Sequence, residues 1–402
     1  MRALARDPQG PDDPANDRGA PQDPGMHPQG TSLALSASNI VAYLVERGVV
    51  PPKSAAALVV NPSVRRNRNF KILRANHPGY FVKQAKEEDG DKTLRREALC
   101  YWRAHDDPQL AALARLMPRF VDYDAERRVL VVELAGEAET LYQHFLRDRA
   151  FTPEIGELLA DGLAVYQSEL GRRLRGEVDD ETFPGKLPWL FTATDEPEWF
   201  RGWFGEAGAK LLSWFCKHDD FKATVRRVAG RWRRDTLVHG DLKWDNCLLV
   251  RDRDNRQSLR LVDWELADVG DARWDIGGVI QAFLVSWSSW SAYGVVLDAV
   301  RPAIQGFWKR TVDARSIPRD QVATLLGQCI ECAGLRMAQS ALEQVYGSVE
   351  LHASALETAR LAIRMIEAPS TAIAEQLGLL DNATWSPPPS PVANAQRYAA
   401  TP

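Results

Sequence analysis

The segment Leu237-Val238-His239-Gly240-Asp241-Leu242-Lys243-Trp244-Asp245-Asn246-Cys247-Leu248-Leu249 sets a carboxylate, a cation and a carboxamide in one short loop ahead of an apolar run. Its form is His-x-Asp, four residues, then Asn. Moving a phosphoryl group between oxygens needs a carboxylate that accepts or orients the proton of the attacking hydroxyl. It also needs oxygen ligands that hold magnesium against the phosphates. Asp241 suits the first task and Asn246 the second. Lys243 adds a charge that would neutralise the transferring group. Further on, Leu261-Val262-Asp263-Trp264-Glu265 ends a second apolar run in an acidic turn, where a magnesium-phosphate complex can be gripped. Asp263 is therefore the expected main metal ligand, with Glu265 either an outer-sphere contact or a solvated side chain. His239 is expected to hydrogen-bond and pack beneath the loop rather than to move protons. The bland alternative is an ordinary loop rich in Asp and Asn, and three linked elements at workable spacing argue against it.

His239-Gly240-Asp241, Asn246 and Asp263-Trp264-Glu265 together resemble the aminoglycoside phosphotransferase and choline kinase superfamily, which writes His-Gly-Asp where protein kinases write His-Arg-Asp. The stretch Gly270-Asp271-Ala272-Arg273-Trp274-Asp275-Ile276 is similar to the one that follows the metal aspartate in that family. The resemblance covers about 61–377. It implies a two-lobed, protein-kinase-like α+β fold, with a small β-rich N-lobe and a large helical C-lobe, and ATP with Mg2+ as cofactors. Asp275 would then brace the catalytic loop. Lys83 would hold the α- and β-phosphates, with Glu97 as its ion-pair partner, although a lone strand lysine is more often a solvated edge residue. Glu133 and Ala135 would lie in a hinge whose backbone groups pair with the adenine edge. One departure stands out. The loop expected over the phosphates, 61–69, holds no glycine, which normally lets backbone amides approach phosphate closely. Ser63, Asn67 and the neighbouring arginines are the side chains that could substitute there, and GTP becomes an alternative nucleotide.

The elements that must position these residues are legible as periodicity. A short helix is expected at 37–47, paired strands within 63–92 with a turn at 77–79, a helix at 94–104, and strands at 119–123 and 128–133. Long helices follow at 154–174, 272–284, 319–346 and 351–377, interrupted by β segments at 247–250 and 259–262. The resulting division is 1–30 as a disordered tail, 31–134 as the N-lobe, 135–384 as the C-lobe and 385–402 as a second tail.

Composition narrows the partners. Lys and Arg number 50 against 54 Asp and Glu, a net charge of −4, which gives no electrostatic case for nucleic acid or a membrane surface. No apolar run approaches a membrane span, and 1–10 lacks the apolar stretch of a secretory signal, so a cytoplasmic location is expected. The five scattered cysteines argue against a disulfide framework, and Cys329 and Cys332 read as helix residues sharing a face.

The acceptor is argued from weaker signs. The segment 171–235 carries Trp189, Trp199, Trp203, Trp214 and Trp232 among charges of both signs, which suits a peptide or protein partner better than a polycation. Buried helix anchors are the plainer explanation of the same tryptophans. Asp241-Leu242-Lys243 is the triplet of protein kinases that act on Ser and Thr. Arg66-Asn67-Arg68-Asn69-Phe70-Lys71 and Phe81-Val82-Lys83-Gln84 are similar to kinases of class V lanthipeptide and thioamitide pathways. That likeness implies phosphorylation of Ser or Thr in a ribosomal precursor peptide, before a partner lyase eliminates the phosphate. The alternatives are a kinase of small-molecule hydroxyls (aminoglycoside, choline or sugar) and a nucleotide-binding pseudokinase scaffold.

Overall fold

A computed structural model of the protein describes residues 34–379, apart from 65–66, 87, 137, 177–181, 252–255 and 369. The expected tails at 1–30 and 385–402 lie outside the described residues, as do Arg65 and Arg66. The chain divides into two units, Met1–Trp102 with Arg119–Gly136, and Arg103–Pro118 with Glu137–Pro402.

In the first unit, α1 (Ile40–Glu46) precedes β1 (Val59–Val64), β2 (Arg68–Arg74) and β3 (His77–Gln84). Then come α2 (Glu88–Asp106), β4 (Phe120–Asp124) and β5 (Val129–Glu133). The five strands form one antiparallel sheet in the order β1-β2-β3-β5-β4. Along β2 the side chains alternate, with Phe70 and Ile72 inside and Lys71 and Leu73 outside, as a strand with one wet face must. Phe70, Ile72, Val82, Val129 and Val131 pack with Ile40, Tyr43 and Leu44 of α1. The first sheet pair begins earlier than expected, at Val59, and residues 88–92 are helical rather than extended. The turn also moves. β3 starts at His77, and the reversal falls at Ala75-Asn76, where Asn76 adopts a left-handed φ of 59° that Asn tolerates well.

The second unit holds α3 (Ala111–Ala114), β6 (Ala138–Thr140), α4 (Leu141–Asp148), α5 (Pro153–Tyr166) and α6 (Glu169–Arg175). It continues with α7 (Trp189–Asp195), α8 (Pro197–Phe215) and α9 (Asp219–Gly230). Four short strands follow: β7 (Thr236–Val238), β8 (Cys247–Arg251), β9 (Gln257–Leu261) and β10 (Asp268–Gly270). The unit closes with α10 (Ala272–Ser291), α11 (Arg301–Ala314), α12 (Arg319–Gln344), α13 (Ala353–Glu367) and α14 (Ser370–Gln376).

Two helices expected to be continuous are broken. At 154–174 the break falls at Gln167-Ser168, where the Ser168 hydroxyl accepts from the Leu170 N–H and starts α6. At 351–377 it falls at Ala368, whose extended backbone (ψ 143°) separates α13 from α14. Among its described residues the helical half also shows five short strands rather than two, in sheets β6-β8-β9 and β7-β10. Strands of three residues carry too little alternation to be seen in sequence. Helices α10 and α12 form the middle of the unit. They approach closely because Gly277 has no side chain: a Cβ there would lie 2.7 Å from the Ala333 amide. Cys329 and Cys332 are buried on α12, and burial pushes the Cys332 thiol up to about 12. Among the described residues no helix is long and apolar enough to cross a membrane.

Candidate active site

The β8–β9 hairpin brings two distant segments to one place. Cys247 pairs with Leu261, so the residue before β8 and the residues after β9 share one end of the hairpin. The Val262 N–H donates to the Asn246 carbonyl at 3.0 Å and closes that end. Asn246 and Asp263 are thereby held at one end of the hairpin.

The loop from His239 to Asn246 is braced from below by Asp275, in the first turn of α10. Its carboxylate accepts from the His239 N–H at 2.7 Å and the Gly240 N–H at 3.1 Å. A third bond comes from the Tyr166 hydroxyl at 2.8 Å. Burial, reinforced by this carboxylate, pushes the Tyr166 phenol well above its usual range, so it remains a donor. His239 is fully buried and meets the Trp264 ring at 4.8 Å, tilted by 52°. Its Nε2–H donates to the Val262 carbonyl at 3.0 Å, which leaves Nδ1 facing the Asp241 N–H at 3.4 Å. Burial depresses the His239 pKa although Asp275, Asp241 and Asp263 pull it the other way. The ring is neutral and fully engaged, a packing role. From the side the loop is pinned by Trp244. Its Nε1–H donates to the Ser286 hydroxyl of α10 at 2.7 Å, and its ring meets Phe283 at 4.7 Å.

Gly240 explains the middle letter of His-Gly-Asp. Its φ is +79°, and a Cβ would sit 2.7 Å from the Leu266 carbonyl oxygen. Gly240→Ala therefore combines left-handed strain with a backbone clash. It is expected to lower stability by about 1–3 kcal/mol and to displace Asp241, measured as a drop in Tm together with reduced turnover.

Asp241 leads into the catalytic-type loop with its side chain largely shielded. Lys243 Nζ donates to Asp241 Oδ2 at 2.6 Å. Asn246 Nδ2 donates to the same oxygen at 3.1 Å and to the Asp241 carbonyl at 2.9 Å. Both side-chain bonds fall on Oδ2. Partial burial works against the Lys243 charge, but the Asp241 carboxylate outweighs it and raises the ammonium pKa. Asp263 occupies a left-handed conformation (φ 70°, ψ 52°), which is uncommon outside glycine and characteristic of functional turns. One of its carboxylate oxygens lies within 4.8 Å of one from Glu265.

In the first unit, Lys83 lies on the central strand β3, opposite Asn69 and Leu130, rather than on a wet edge. Its Nζ meets Glu97 Oε2 of α2 at 2.7 Å, with both residues buried. Tyr101, one turn further along α2, donates to the other oxygen of Glu97 at 2.8 Å. Sequence reasoning paired Lys83 with Glu97 but overlooked Tyr101, although the i, i+4 spacing was there to see. Ser63 lies on β1 and is half-buried, and Asn67 is 7 % exposed. The Asn69 side-chain carbonyl, on the strand position facing Lys83, is buried without a donor among the described residues. In the hinge, the Glu133 N–H donates to the Arg119 carbonyl at 2.8 Å and the Leu134 N–H to the Gly79 carbonyl at 2.9 Å.

The tryptophans are mostly anchors. Trp189, Trp199, Trp214 and Trp232 are half-buried, and only Trp203 of the five is exposed, at 42 %. Trp203 contacts Trp189 at 5.7 Å and Trp199 at 5.3 Å, and reaches exposed Tyr346 at 6.5 Å. Sequence reasoning also passed over a polar row on α12, Arg336, Gln339 and Glu343, whose i, i+3, i+7 spacing marks one helix face.

Comparison with known proteins bears on the fold and the family. A choline kinase from Cryptosporidium parvum superposes with a TM-score of 0.55 at 14% identity, covering 87% of this chain and 99% of its own. An ethanolamine kinase from Plasmodium vivax gives 0.53 at 12% identity, over 81% of this chain and 86% of its own. These similarities show the fold, a β-rich N-lobe and a helical C-lobe of the protein-kinase-like kind. No curated protein sequence matches the chain. Residues 58–306, more than half of the chain, match the phosphotransferase enzyme family, and the protein thus belongs to that family of enzymes, which move phosphate to hydroxyl groups.

Proposed function

We propose that the protein is an ATP- and magnesium-dependent O-phosphotransferase in which Asp241 orients the acceptor hydroxyl. The observation that carries this is the fixing of one Asp241 oxygen. Lys243 and Asn246 both bond Oδ2, which leaves Oδ1 to receive the proton of the attacking hydroxyl. That hydroxyl oxygen forms a bond to the γ-phosphorus as the bond to the departing ADP oxygen breaks, and its proton passes through Asp241 to solvent.

The donor set suits a magnesium ion. Asp263 and Asn246 offer hard oxygen ligands at one end of the hairpin, with Glu265 close enough to serve through water. Bound there, the metal supplies charge that draws the phosphate oxygens together and eases departure of ADP. Lys83, held straight by Glu97, is the cation for the α- and β-phosphates. The hinge donor for an adenine edge is the Ala135 N–H, beside the Glu133 carbonyl, because the Glu133 and Leu134 amides already donate elsewhere. Ser63 and Asn67 stand in for the missing glycines over the phosphates, Asn67 through its backbone since its side chain is packed. GTP is the alternative nucleotide. A pseudokinase scaffold would have no need of Asp241, Asn246 and Asp263 together.

The acceptor is a compound bearing a hydroxyl. A small molecule is the first reading. The second is Ser or Thr of a precursor peptide with a partner lyase, and the exposed Trp203 and Tyr346 favour it as an aromatic docking strip. The experiment is incubation with magnesium and ATP against precursor peptides, amino alcohols, hydroxy acids, sugars and aminoglycosides, read by mass spectrometry for the added phosphate. Phosphate on a small compound and none on peptide is expected. Peptide phosphorylation abolished by Trp203→Ala would reverse the order of the two readings. No magnesium-dependent ADP formation with any acceptor would overturn the enzyme proposal.

A further inference from the structure

Helix α12 carries Arg336, Gln339 and Glu343 on one face, and the first two are buried, at 4% and 5% exposure. Among the described residues the Arg336 guanidinium has no hydrogen-bond or ion-pair partner; it lies over the Trp274 ring, 5.5 Å from its centroid. A guanidinium with no directly bonded anion keeps its fork of donors for a ligand, although the Glu343 carboxylate lies within its field. Gln339 is fixed in orientation, because its Nε2 donates to Glu343 Oε1 at 2.8 Å. Its carbonyl Oε1 is buried and meets no donor. One helical turn therefore separates a cation with no bonded anion from an acceptor that lacks a donor, with Cβ atoms roughly 5–6 Å apart.

Helix α10 ties the row to the loop of Asp241: Gln281 Nε2 donates to the Ser340 hydroxyl of α12 at 3.1 Å, and Ser286, further along α10, accepts from Trp244 of the loop at 2.7 Å. The Glu343 carboxyl stands in the electrostatic field of Asp241 and Lys243 as well as that of Arg336. Its crowded surroundings push its pKa up, while Arg336 and Gln339 pull it down. Glu343 and Lys243 both keep exposed surface, so the row opens to solvent at that end. There is also room at the buried end. A Cβ added to Gly278 of α10 would meet nothing within 4 Å except Arg336 Nε at 3.6 Å, an ordinary contact distance.

We propose that this row is the acceptor subsite and that it selects a small hydroxylated zwitterion. The anionic group of the acceptor, such as a carboxylate, pairs with Arg336. Its ammonium donates to Gln339 Oε1 and is balanced by Glu343, and its hydroxyl extends toward Asp241. This deepens the phosphotransfer reading above and rests on it. A polycation would satisfy Glu343 but face Arg336 with like charge. A simple amino alcohol would leave Arg336 unpaired.

The probes are L-serine, ethanolamine (the same skeleton without the carboxylate), L-glycerate (a hydroxyl in place of the ammonium), L-homoserine and kanamycin. Each is titrated against the full-length protein with magnesium and ATP, with ADP release and phosphorylated product as readouts. At least one of the two zwitterions is expected to saturate, with ethanolamine, glycerate and kanamycin each weaker by tenfold or more. Arg336→Met is expected to raise KM for the zwitterion by about 10–100-fold, the loss of a charge-assisted pair. Because that buried change could impair folding, Gly278→Ala supplies a second arm. Alanine is the better helix residue and creates no clash, so Tm should not fall, while the added methyl crowds the space beside Arg336. KM for the zwitterion should then rise about tenfold. Equal use of serine and ethanolamine, no saturable response to either zwitterion, or a Gly278→Ala KM unchanged from wild type would overturn the subsite. Failure of the wild type to bind magnesium-ATP would instead overturn the phosphotransfer reading itself, so the two failures are distinguishable.

Discussion

Asp241→Asn is expected to lower turnover by about 10²–10⁴-fold, the range of a positioned general base, with nucleotide affinity nearly unchanged. The substitution keeps the size of the side chain and its place between Lys243 and Asn246. What it removes is the anionic oxygen. The Asn246 amide donates to Asp241 Oδ2, and Lys243 leans on the same atom, so charge and geometry both converge on that group. An asparagine would present an oxygen to one of these donors and an NH2 toward the acceptor hydroxyl, the wrong polarity for taking a proton. Asp275, Tyr166 and Trp244 brace the loop from other directions and remain in place, so the fold should not change. Single-turnover phosphorylation at saturating ATP measures the effect, with ATP-induced thermal stabilisation as the control. A rate close to wild type would remove Asp241 from the reaction.

Asp263→Ala is expected to abolish the part of nucleotide binding that depends on magnesium. Asn246 is a neutral ligand, so removing Asp263 takes away the charged ligand beside it. The backbone adds a complication, because Asp263 sits at φ 70°, where alanine is strained. Asp263→Asn separates the two effects, since asparagine tolerates that conformation and lacks the charge. Both variants should lose the extra thermal stabilisation that magnesium adds to ATP, and only the alanine variant should also lose stability without ligand. Stabilisation by magnesium-ATP equal to wild type in both variants would place the metal site elsewhere.

Much of this site could be read from the chain because its residues are tied by short, local spacing. His239 to Asn246 is one loop and Asp263 follows a strand, so residue type and neighbourhood were enough to name them, while Asp275 was named by the family resemblance of 270–276. Lys83 and Glu97 were named by order, a lysine in an apolar strand ahead of a helix. The neutral state of His239 and the need for Gly240 were not readable. They depend on the Val262 and Leu266 carbonyls, which reach the loop through the β8–β9 hairpin and the turn after it. The helix breaks at Ser168 and Ala368 escaped for another reason: apolar periodicity continues across a break when both helices bury the same face.

By itself the sequence determined the main strands and long helices, the candidate loop at 239–246 and the acidic turn after β9, since each rests on neighbouring residues and on backbone preferences that act locally. Tertiary structure alone decided which oxygen of Asp241 is engaged, that Lys83 lies on a central strand, and that most tryptophans of 171–235 are anchors. It also decided that Arg336 and Gln339 are buried one helical turn apart, with the Gln339 carbonyl oxygen facing no donor among the described residues. Burial is a property of packing between helices distant in sequence. An arginine on α12 looks in the chain like any solvated helix residue, and the packing of α10, through Trp274 and Gly278, helps to take it out of water.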